Sequence, residues 1–335
     1  MREGTNKLSS AAIRLIQYTY GFDTPRDVMR KLANDLLLQS NQVSPPIEWG
    51  PIFKLRRIQV CYPSGNLDSA NLLREAYIVP RQGGFELRFR SSGQSGGRVR
   101  FSIAHEIGHT YFFDTEANPP RKLSIWRGLE SDEERLCDIF ASELLMPEEM
   151  IRRFLPDHTQ QSLSVVIQLS KKFKVTYEAL SRRLIEDLAA WDAIVIGVSW
   201  SAKELPSGKG SSMKESNTNK WRLLWSSLPT RLRGTLYVPS ARNHPSIGQV
   251  LAEEAFAKGC VTGRADQYKL GLGNFDKLIS NSRGSERAVL EAVAIKPKAL
   301  QFSHGGDPLD LETELRRRTE ILVAVTFQSL NNEVT

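Results

Sequence analysis

Two histidines four residues apart constrain this chain more than any other feature. They are His105 and His109, with Glu106 directly after the first, in a segment over residues 100–111 whose pattern is typical of a helix. Side chains four apart in an α-helix lie one above the other on one face. That geometry suits two imidazole nitrogens that share one tetrahedral Zn²⁺. Glu106 lies about 100° further around the helix, where it can accept a proton from a water molecule. The spacing therefore predicts two zinc ligands and a general base.

Apolar residues surround the motif, so the helix is expected to be packed rather than solvated. The alternative is an amphipathic helix whose histidines are merely solvated. It does not explain why Glu106 and both histidines border the apolar stripe, because charged groups in that position need partners. Gly108 costs the helix about 1 kcal/mol relative to alanine. We therefore expect another backbone to approach it closely. The apolar residues are Ile103, Ala104, Ile107 and Phe112.

The third protein ligand must come from another segment, because a catalytic zinc site has three protein ligands and one open position. Residues 131–147 form a second amphipathic pattern that ends at a proline. By spacing alone Glu130, Glu133 and Glu134 are all eligible. Glu134 also lies three residues after Ser131, the spacing of a capping box, so it can equally be a helix-start residue. The spacing leaves the third ligand open.

Two sequence motifs together resemble the ImmA/IrrE family of zinc metallopeptidases. The first is Phe-Ser-Ile-Ala-His-Glu-Ile-Gly-His at residues 101–109. The second is Glu-x-x-Cys-Asp-x-Phe-Ala-x-Glu-Leu-Leu-Met-Pro at residues 134–147. Family members typically have Glu-x-x-Ala-Asn-x-Phe-Ala and Leu-Leu-Met-Pro there. The resemblance implies the following roles: zinc ligands His105, His109 and Glu134, and catalytic glutamate Glu106.

The sequence departs from this family pattern at two positions. Cys137 stands where the family usually has alanine, and Asp138 where it usually has asparagine. Asp138 lies one turn after Glu134, so it could accept a hydrogen bond from a ligand imidazole and orient it; ordinary solvation on the helix is the alternative. We expect Cys137 to be a small buried residue rather than a ligand, because zinc already has three candidate ligands.

The predicted fold class is α+β, with a zincin-like metallopeptidase domain over residues 1–190. Helical periodicity covers residues 8–40, with a helix start at Thr24-Pro25. A Ser/Gly-rich stretch at residues 91–97 predicts a loop. The resemblance covers about this domain and implies a small sheet before the zinc helix and a closing segment similar to a helix-turn-helix. The strand-like runs are residues 58–62, 76–79 and 84–89, and the closing segment is residues 160–186.

A second domain of mixed α/β type is predicted over residues 191–335, and it matches no family that we recognise. Apolar, β-branched runs there predict strands in a sheet with one covered face. A helix is predicted over residues 247–258. We expect this domain to be regulatory or sensory. The predicted strands are residues 193–200, 221–225, 288–295 and 321–327.

A formal net charge of +7 raises the question of nucleic-acid binding. Divided at residue 190, the charge is +3 before and +4 after, so the excess is spread and gives little support for a basic binding face. Basic residues do decorate residues 160–186, but Arg182-Arg183 is the only cluster on its second helix. DNA binding through this segment is therefore an alternative that we do not favour over structural packing.

The sequence predicts a cytoplasmic protein without membrane association. The amino terminus lacks the apolar core of a signal peptide, and no run approaches the roughly 18 apolar residues that span a bilayer. The three cysteines, Cys61, Cys137 and Cys260, are far apart and form no Cys-x-x-Cys pair. Neither a disulfide framework nor a cysteine zinc site is indicated.

Together these features favour a zinc endopeptidase that activates a water molecule to hydrolyse peptide bonds. The family resemblance implies a protein substrate, a helix-turn-helix transcriptional repressor, cleaved at one site in a stress, mobile-element or defence response. The alternatives are a non-catalytic zincin fold that serves as a binding or antitoxin-like module, and a DNA-binding regulator acting through residues 160–186.

Overall fold

The computed structural model divides the chain into two compact units that interleave along the sequence. The first unit comprises Met1–Leu155 and Gln168–Leu180, and the second comprises Pro156–Ile167 and Ser181–Thr335. The predicted boundary at residue 190 stays a prediction. No helix in the described part of the chain is long and apolar enough to cross a membrane. The structure describes residues 24–61, 76–89, 96–123, 130–155, 161–201, 220–233, 249–268, 270, 286–296, 315–316 and 319–329.

The first unit begins, in its described part, with helix α1, Pro25–Gln39. Its start is the predicted one: Thr24 is the N-cap, Pro25 occupies the first turn, and the Asp27 backbone N–H donates to Thr24 Oγ1 at 3.3 Å. The buried residues of α1 recur at three- and four-residue steps, so one face of the helix is buried. The earlier half of the predicted helical stretch, residues 8–20, lies outside the described residues. The buried face of α1 includes Val28, Met29, Leu32 and Leu36.

A three-stranded sheet follows helix α2, Trp49–Arg56. Its order is β1-β3-β2, with β1 parallel to β3 and β2 antiparallel to β3. Among the described residues β2 pairs with β3 alone, so β2 is at the edge of the sheet that these residues form. The predicted small sheet before the histidine helix is present. Its strands are β1 Ile58–Cys61, β2 Ala76–Arg81 and β3 Gly84–Phe89.

The two helices that carry the candidate site residues are α3, Gly96–His109, and α4, Glu130–Leu145. Helix α4 packs against both α3 and α1. Gly96 and Gly97 are helical, so the loop predicted over residues 91–97 is wrong at these two positions; residues 91–95 lie outside the described part. The reason is packing, because Gly97 lies directly against the backbone of a later turn. Between α3 and α4 are a 3-10 turn, Thr110–Phe112, and the strand pair β4 Phe113–Asp114 and β5 Arg121–Lys122.

Three further helices precede the second sheet: α5 Glu148–Phe154, α6 Leu163–Phe173 and α7 Tyr177–Arg182. Helix α7 continues into a π-helical turn, Arg183–Asp187. Residues 174–176 separate α6 from α7, within the segment similar to a helix-turn-helix that the resemblance implies. Within the basic cluster, Arg182 is exposed, but Arg183 is only 2% exposed and lies 3.6 Å from Asp187. One half of the predicted cluster is therefore buried.

The second unit contains a five-stranded antiparallel sheet of order β7-β6-β10-β9-β8. Helix α8, Gln249–Lys258, packs against it, and alternate strand residues such as Ile194, Ile196 and Val198 form a core with Phe256. The predicted mixture of helices and strands is confirmed in both units. The strands are β6 Ala193–Ser201, β7 Lys220–Ser227, β8 Cys260–Arg264, β9 Glu286–Ile295 and β10 Glu320–Ser329.

Candidate metal centre

Helix α3 places its two histidines one turn apart with their ring nitrogens converging. The Nε2 atoms of His105 and His109 lie 3.1 Å apart. The side chains are 15% and 14% exposed, so both rings are largely enclosed but still reach solvent. The four-residue spacing therefore brings the two imidazole rings together on one face of the helix.

Glu134 on helix α4 completes a cluster of three donor groups. Its Oε2 lies 2.9 Å from Nε2 of His105, and its Oε1 lies 3.5 Å from Nε2 of His109. Ligand atoms about 2.0–2.1 Å from a tetrahedral zinc are about 3.3 Å from one another. The distances among the three donor groups are 2.9, 3.1 and 3.5 Å, which lie on both sides of this value. The donor set therefore fits a divalent metal ion.

Cys137 is a rival for the third position. Its Sγ and one ring nitrogen each of His105 and His109 all lie within 4.8 Å of one another. Its side chain is fully buried, and burial raises the pKa of the thiol well above its usual range, with Glu133 adding to the rise. A bound zinc ion would itself stabilise the thiolate, so the choice depends on distance. Two oxygens of Glu134 lie 2.9 and 3.5 Å from the histidine Nε2 atoms, which favours Glu134. The assignment of Glu134 stays a prediction.

A second layer of carboxylates holds the outer nitrogens of both rings. Nδ1 of His105 lies 2.8 Å from Oδ1 of Asp138, and Nδ1 of His109 lies 2.8 Å from Oε1 of Glu133. When each Nδ1–H donates to its carboxylate, the lone pair of each Nε2 faces the centre of the cluster. Asp138 thus contacts the outer nitrogen of His105, and its role in orienting a ligand imidazole stays a prediction.

The sequence predicts Glu133 only as a candidate ligand, whereas in the structure it contacts Nδ1 of His109 from outside the donor cluster. Glu133 is mostly buried, and its other oxygen lies 3.1 Å from Nζ of Lys122 on β5. Burial acts to raise the pKa of the Glu133 carboxyl, but the hydrogen bonds with His109 and Lys122 outweigh it and hold the pKa below its usual value. Glu133 is therefore an ionised acceptor for His109.

The metal-free His105 is a stronger base than a solvated histidine. Burial acts to lower its pKa, but the hydrogen bond and charge of Asp138, with the nearby charges of Glu106 and Glu134, raise it overall. A metal ion must displace the proton of a protonated imidazole before it can bind. We therefore expect metal affinity to weaken as the pH falls.

Glu106 borders the cluster from a buried position. It is 8% exposed, and its Oε2 accepts a hydrogen bond from the backbone N–H of Ile78 at 2.9 Å. Burial raises the pKa of the Glu106 carboxyl, and the charges of His109 and His105 and the Ile78 hydrogen bond only partly offset that rise. A carboxylate with a raised pKa is a stronger base than a solvated one. The site therefore places a buried carboxylate beside a donor set that could hold a metal ion.

Gly108 explains how the two helices come close enough. A Cβ atom at this position would lie 3.2 Å from Cα and 3.3 Å from both Cβ and Sγ of Cys137. The close approach expected from the sequence is thus to helix α4, one turn from Glu134. The glycine lets α3 and α4 bring their donor groups together.

Substituting Gly108 with alanine is expected to lower the free energy of unfolding by about 1–3 kcal/mol, because overpacking between two helices outweighs the gain in helix propensity. The matched control is Gly50→Ala in helix α2, where a Cβ would meet nothing within 4 Å. That change should leave stability equal or higher. Chemical denaturation of both variants measures the difference, and equal stability of the two would contradict close helix packing at Gly108.

Comparison with known proteins places the central part of the chain in a peptidase family. Residues 89–185 match the family described as the IrrE N-terminal-like domain. The chain therefore carries a metallopeptidase-like domain of the ImmA/IrrE family, and the matched range includes helices α3 and α4 with the histidines and carboxylates of the site. The family that the sequence motifs resemble is confirmed.

One solved structure, a Mycobacterium tuberculosis transcriptional regulator, is similar at 13% sequence identity with a TM-score of 0.46. The similarity covers 95% of this chain and 81% of that chain. No curated protein matches the chain.

Proposed function

We propose that this protein is a zinc-dependent endopeptidase. The observation that carries the proposal is the convergence of three donor groups, those of His105, His109 and Glu134, beside the buried carboxylate of Glu106. A catalytic zinc site of this type uses two histidines and one glutamate and leaves one position open. When bound, zinc supplies Lewis-acid polarisation of a substrate carbonyl and makes a water molecule more acidic.

Glu106 accepts the proton of the attacking water in this proposal. Its Oε2 is held by the Ile78 N–H, which leaves Oε1 free of that contact for the proton transfer. The raised pKa of the carboxyl helps it to take the proton and keeps it able to pass that proton to the departing amine. Asp138 and Glu133 keep the imidazoles in one orientation throughout.

The edge strand β2 suggests how a peptide would lie at the site. The N–H of Ile78 bonds to Glu106, so this outer edge of β2 faces the proton acceptor. An extended peptide can add to a free strand edge through main-chain hydrogen bonds. A substrate segment paired there would pass alongside Glu106, which favours an extended, locally unfolded stretch of protein as the substrate.

The proposed substrate is a helix-turn-helix transcriptional repressor, cleaved at one site in a stress, mobile-element or defence response. The support for this step is the family resemblance. It implies a narrow substrate range, low activity on general protein substrates and, because repressors act on DNA inside the cell, a cytoplasmic location. Direct DNA binding through residues 160–186 is less favoured, because Arg183 is buried beside Asp187.

Cleavage of purified helix-turn-helix repressors by the zinc-loaded protein tests the proposal. Mass spectrometry of the fragments should show one new amino terminus per cleaved repressor, and a chelator should prevent its appearance. A protein that binds zinc and a repressor yet leaves every repressor intact would instead be the non-catalytic binding module.

A further inference from the structure

A cavity of about 560 Å³ lies beside the start of helix α3, in the first unit. Among the described residues that line it, three are basic and none is acidic. We call it the Arg100 cavity. The lining residues that matter here are Gly96, Gly97, Arg100, Ser170, Lys171 and Lys174.

The walls of the Arg100 cavity are held together by a close backbone contact. A Cβ atom at Gly97 would lie 2.8 Å from the backbone N of Thr176 and 2.8 Å from the carbonyl carbon of Val175. The first turn of α3 therefore lies directly against the turn between α6 and α7. The cavity is therefore bounded by two helices and by a turn that is packed against one of them.

Two residues that line the cavity each carry a buried polar group without a hydrogen-bond partner among the described residues. These groups are the hydroxyl of Ser170, a residue that is 2% exposed, and Nε of Arg100. Buried polar groups in folded proteins are almost always paired, so each exception requires an explanation. Both groups can donate a hydrogen bond. An acceptor-rich ligand in the cavity would satisfy them together.

Arg100 is positioned by contacts on its other side. Its terminal nitrogen donates to the backbone carbonyl of Ile47 at 2.6 Å, and its guanidinium lies 4.7 Å from the centroid of the Trp49 ring. The carboxylate of Glu48 acts electrostatically on Arg100 but does not line the cavity. The guanidinium is thus fixed in orientation while its Nε lacks a partner.

Two lysines add positive charge to the same cavity. Lys171 and Lys174 are exposed, and neither forms an ion pair with another residue in the part of the chain that the structure describes. The amino-terminal end of α3 contributes a further positive potential, because the helix dipole and the first N–H groups favour an anion there. The positive charge and the unpaired donors therefore both favour an anionic ligand that is rich in hydrogen-bond acceptors.

We propose that the Arg100 cavity binds the phosphate group of a small phosphorylated molecule such as a nucleoside monophosphate. A terminal phosphate offers several acceptor oxygens to the donor groups of Arg100, Ser170 and the two lysines. The volume falls in the range of small-molecule sites and leaves room for a group attached to the phosphate. Duplex DNA fits less well, because the unpaired donors are buried in a concave site and the backbone of a duplex runs along a surface.

Isothermal titration calorimetry of the full chain with adenosine monophosphate, pyrophosphate and inorganic phosphate tests this proposal. At least one of these probes should bind saturably at about one per chain. Ser170→Ala should weaken that binding by about tenfold or more, as loss of a hydrogen bond to a charged group does. The fold should survive, because the change removes a buried hydroxyl that has no partner. The pair Lys171→Gln and Lys174→Gln should weaken binding at least as much.

Lys172→Gln is the matched control. This lysine lies between the two cavity residues in sequence, but its Nζ lies 3.7 Å from the centroid of the Phe154 ring and it does not line the cavity. Its substitution should change affinity by less than about twofold. Absence of saturable binding by all three probes would overturn the proposal, as would an equal loss with Lys172→Gln. Duplex DNA that binds through Ser170 and displaces the probes would also reject a small ligand as the occupant.

Discussion

Glu106→Gln is expected to lower peptide-bond hydrolysis by about 10²- to 10⁴-fold while the protein keeps its metal. The substitution removes the proton acceptor, but a glutamine oxygen can still accept the hydrogen bond that Ile78 donates. The fold and the donor groups of His105, His109 and Glu134 should therefore persist. Single-turnover cleavage of a repressor substrate, measured beside the zinc content of the same sample, separates the two effects.

Glu148→Gln is a suitable control for this experiment. Glu148 is a half-exposed carboxylate on helix α5 that pairs with Arg152. Its loss should change neither cleavage nor zinc content. If Glu106→Gln cleaved substrate at the wild-type rate, Glu106 would not be the base. Cleavage lost together with zinc would instead assign the residue to metal binding.

Glu134→Gln is expected to weaken zinc binding more than any other carboxylate substitution at the site. The change removes the negative charge and one of the two equivalent oxygens that lie beside the histidine nitrogens. Glu133→Gln is the informative comparison, because Glu133 contacts Nδ1 of His109 from outside the cluster. Loss of such an outer partner typically costs about 10- to 100-fold in metal affinity. Competition with a chromogenic zinc chelator measures both variants.

Cys137→Ala belongs in the same series. Alanine is the usual residue of the family at this position, and the thiol is buried with a raised pKa. Zinc affinity should be unchanged in this variant. A large loss with Cys137→Ala and little loss with Glu134→Gln would reverse the assignment of the third ligand.

The sequence could predict the parts of the site that depend on helix geometry alone. His105 and His109 are four residues apart on one helix, so their convergence follows from the helical repeat. The choice among Glu130, Glu133 and Glu134 does not follow in this way. It depends on the rotation of α4 relative to α3, which the packing of Gly108 against Cys137 fixes. The residue types of the site were therefore predictable, but the distribution of roles required tertiary structure.

Other features could not be predicted because they are set by contacts between distant residues. Lys122 approaches Glu133 from a two-residue strand, which is too short to give a sequence pattern. Strand β8, Cys260–Arg264, contains a glycine and a charged end, and it is held by pairing with β9. Gly97 is helical although its neighbours predict a loop, because packing outweighs local propensity.

Zinc X-ray absorption spectroscopy of the zinc-loaded wild-type protein can decide whether two histidines and a carboxylate hold the metal, since it reports the element and distance of the ligand atoms. We expect only nitrogen and oxygen ligands at about 2.0–2.2 Å, including the outer-ring signature of two imidazoles from His105 and His109. A sulfur ligand at about 2.3 Å would identify Cys137 in place of Glu134. That result would contradict the proposed catalytic site.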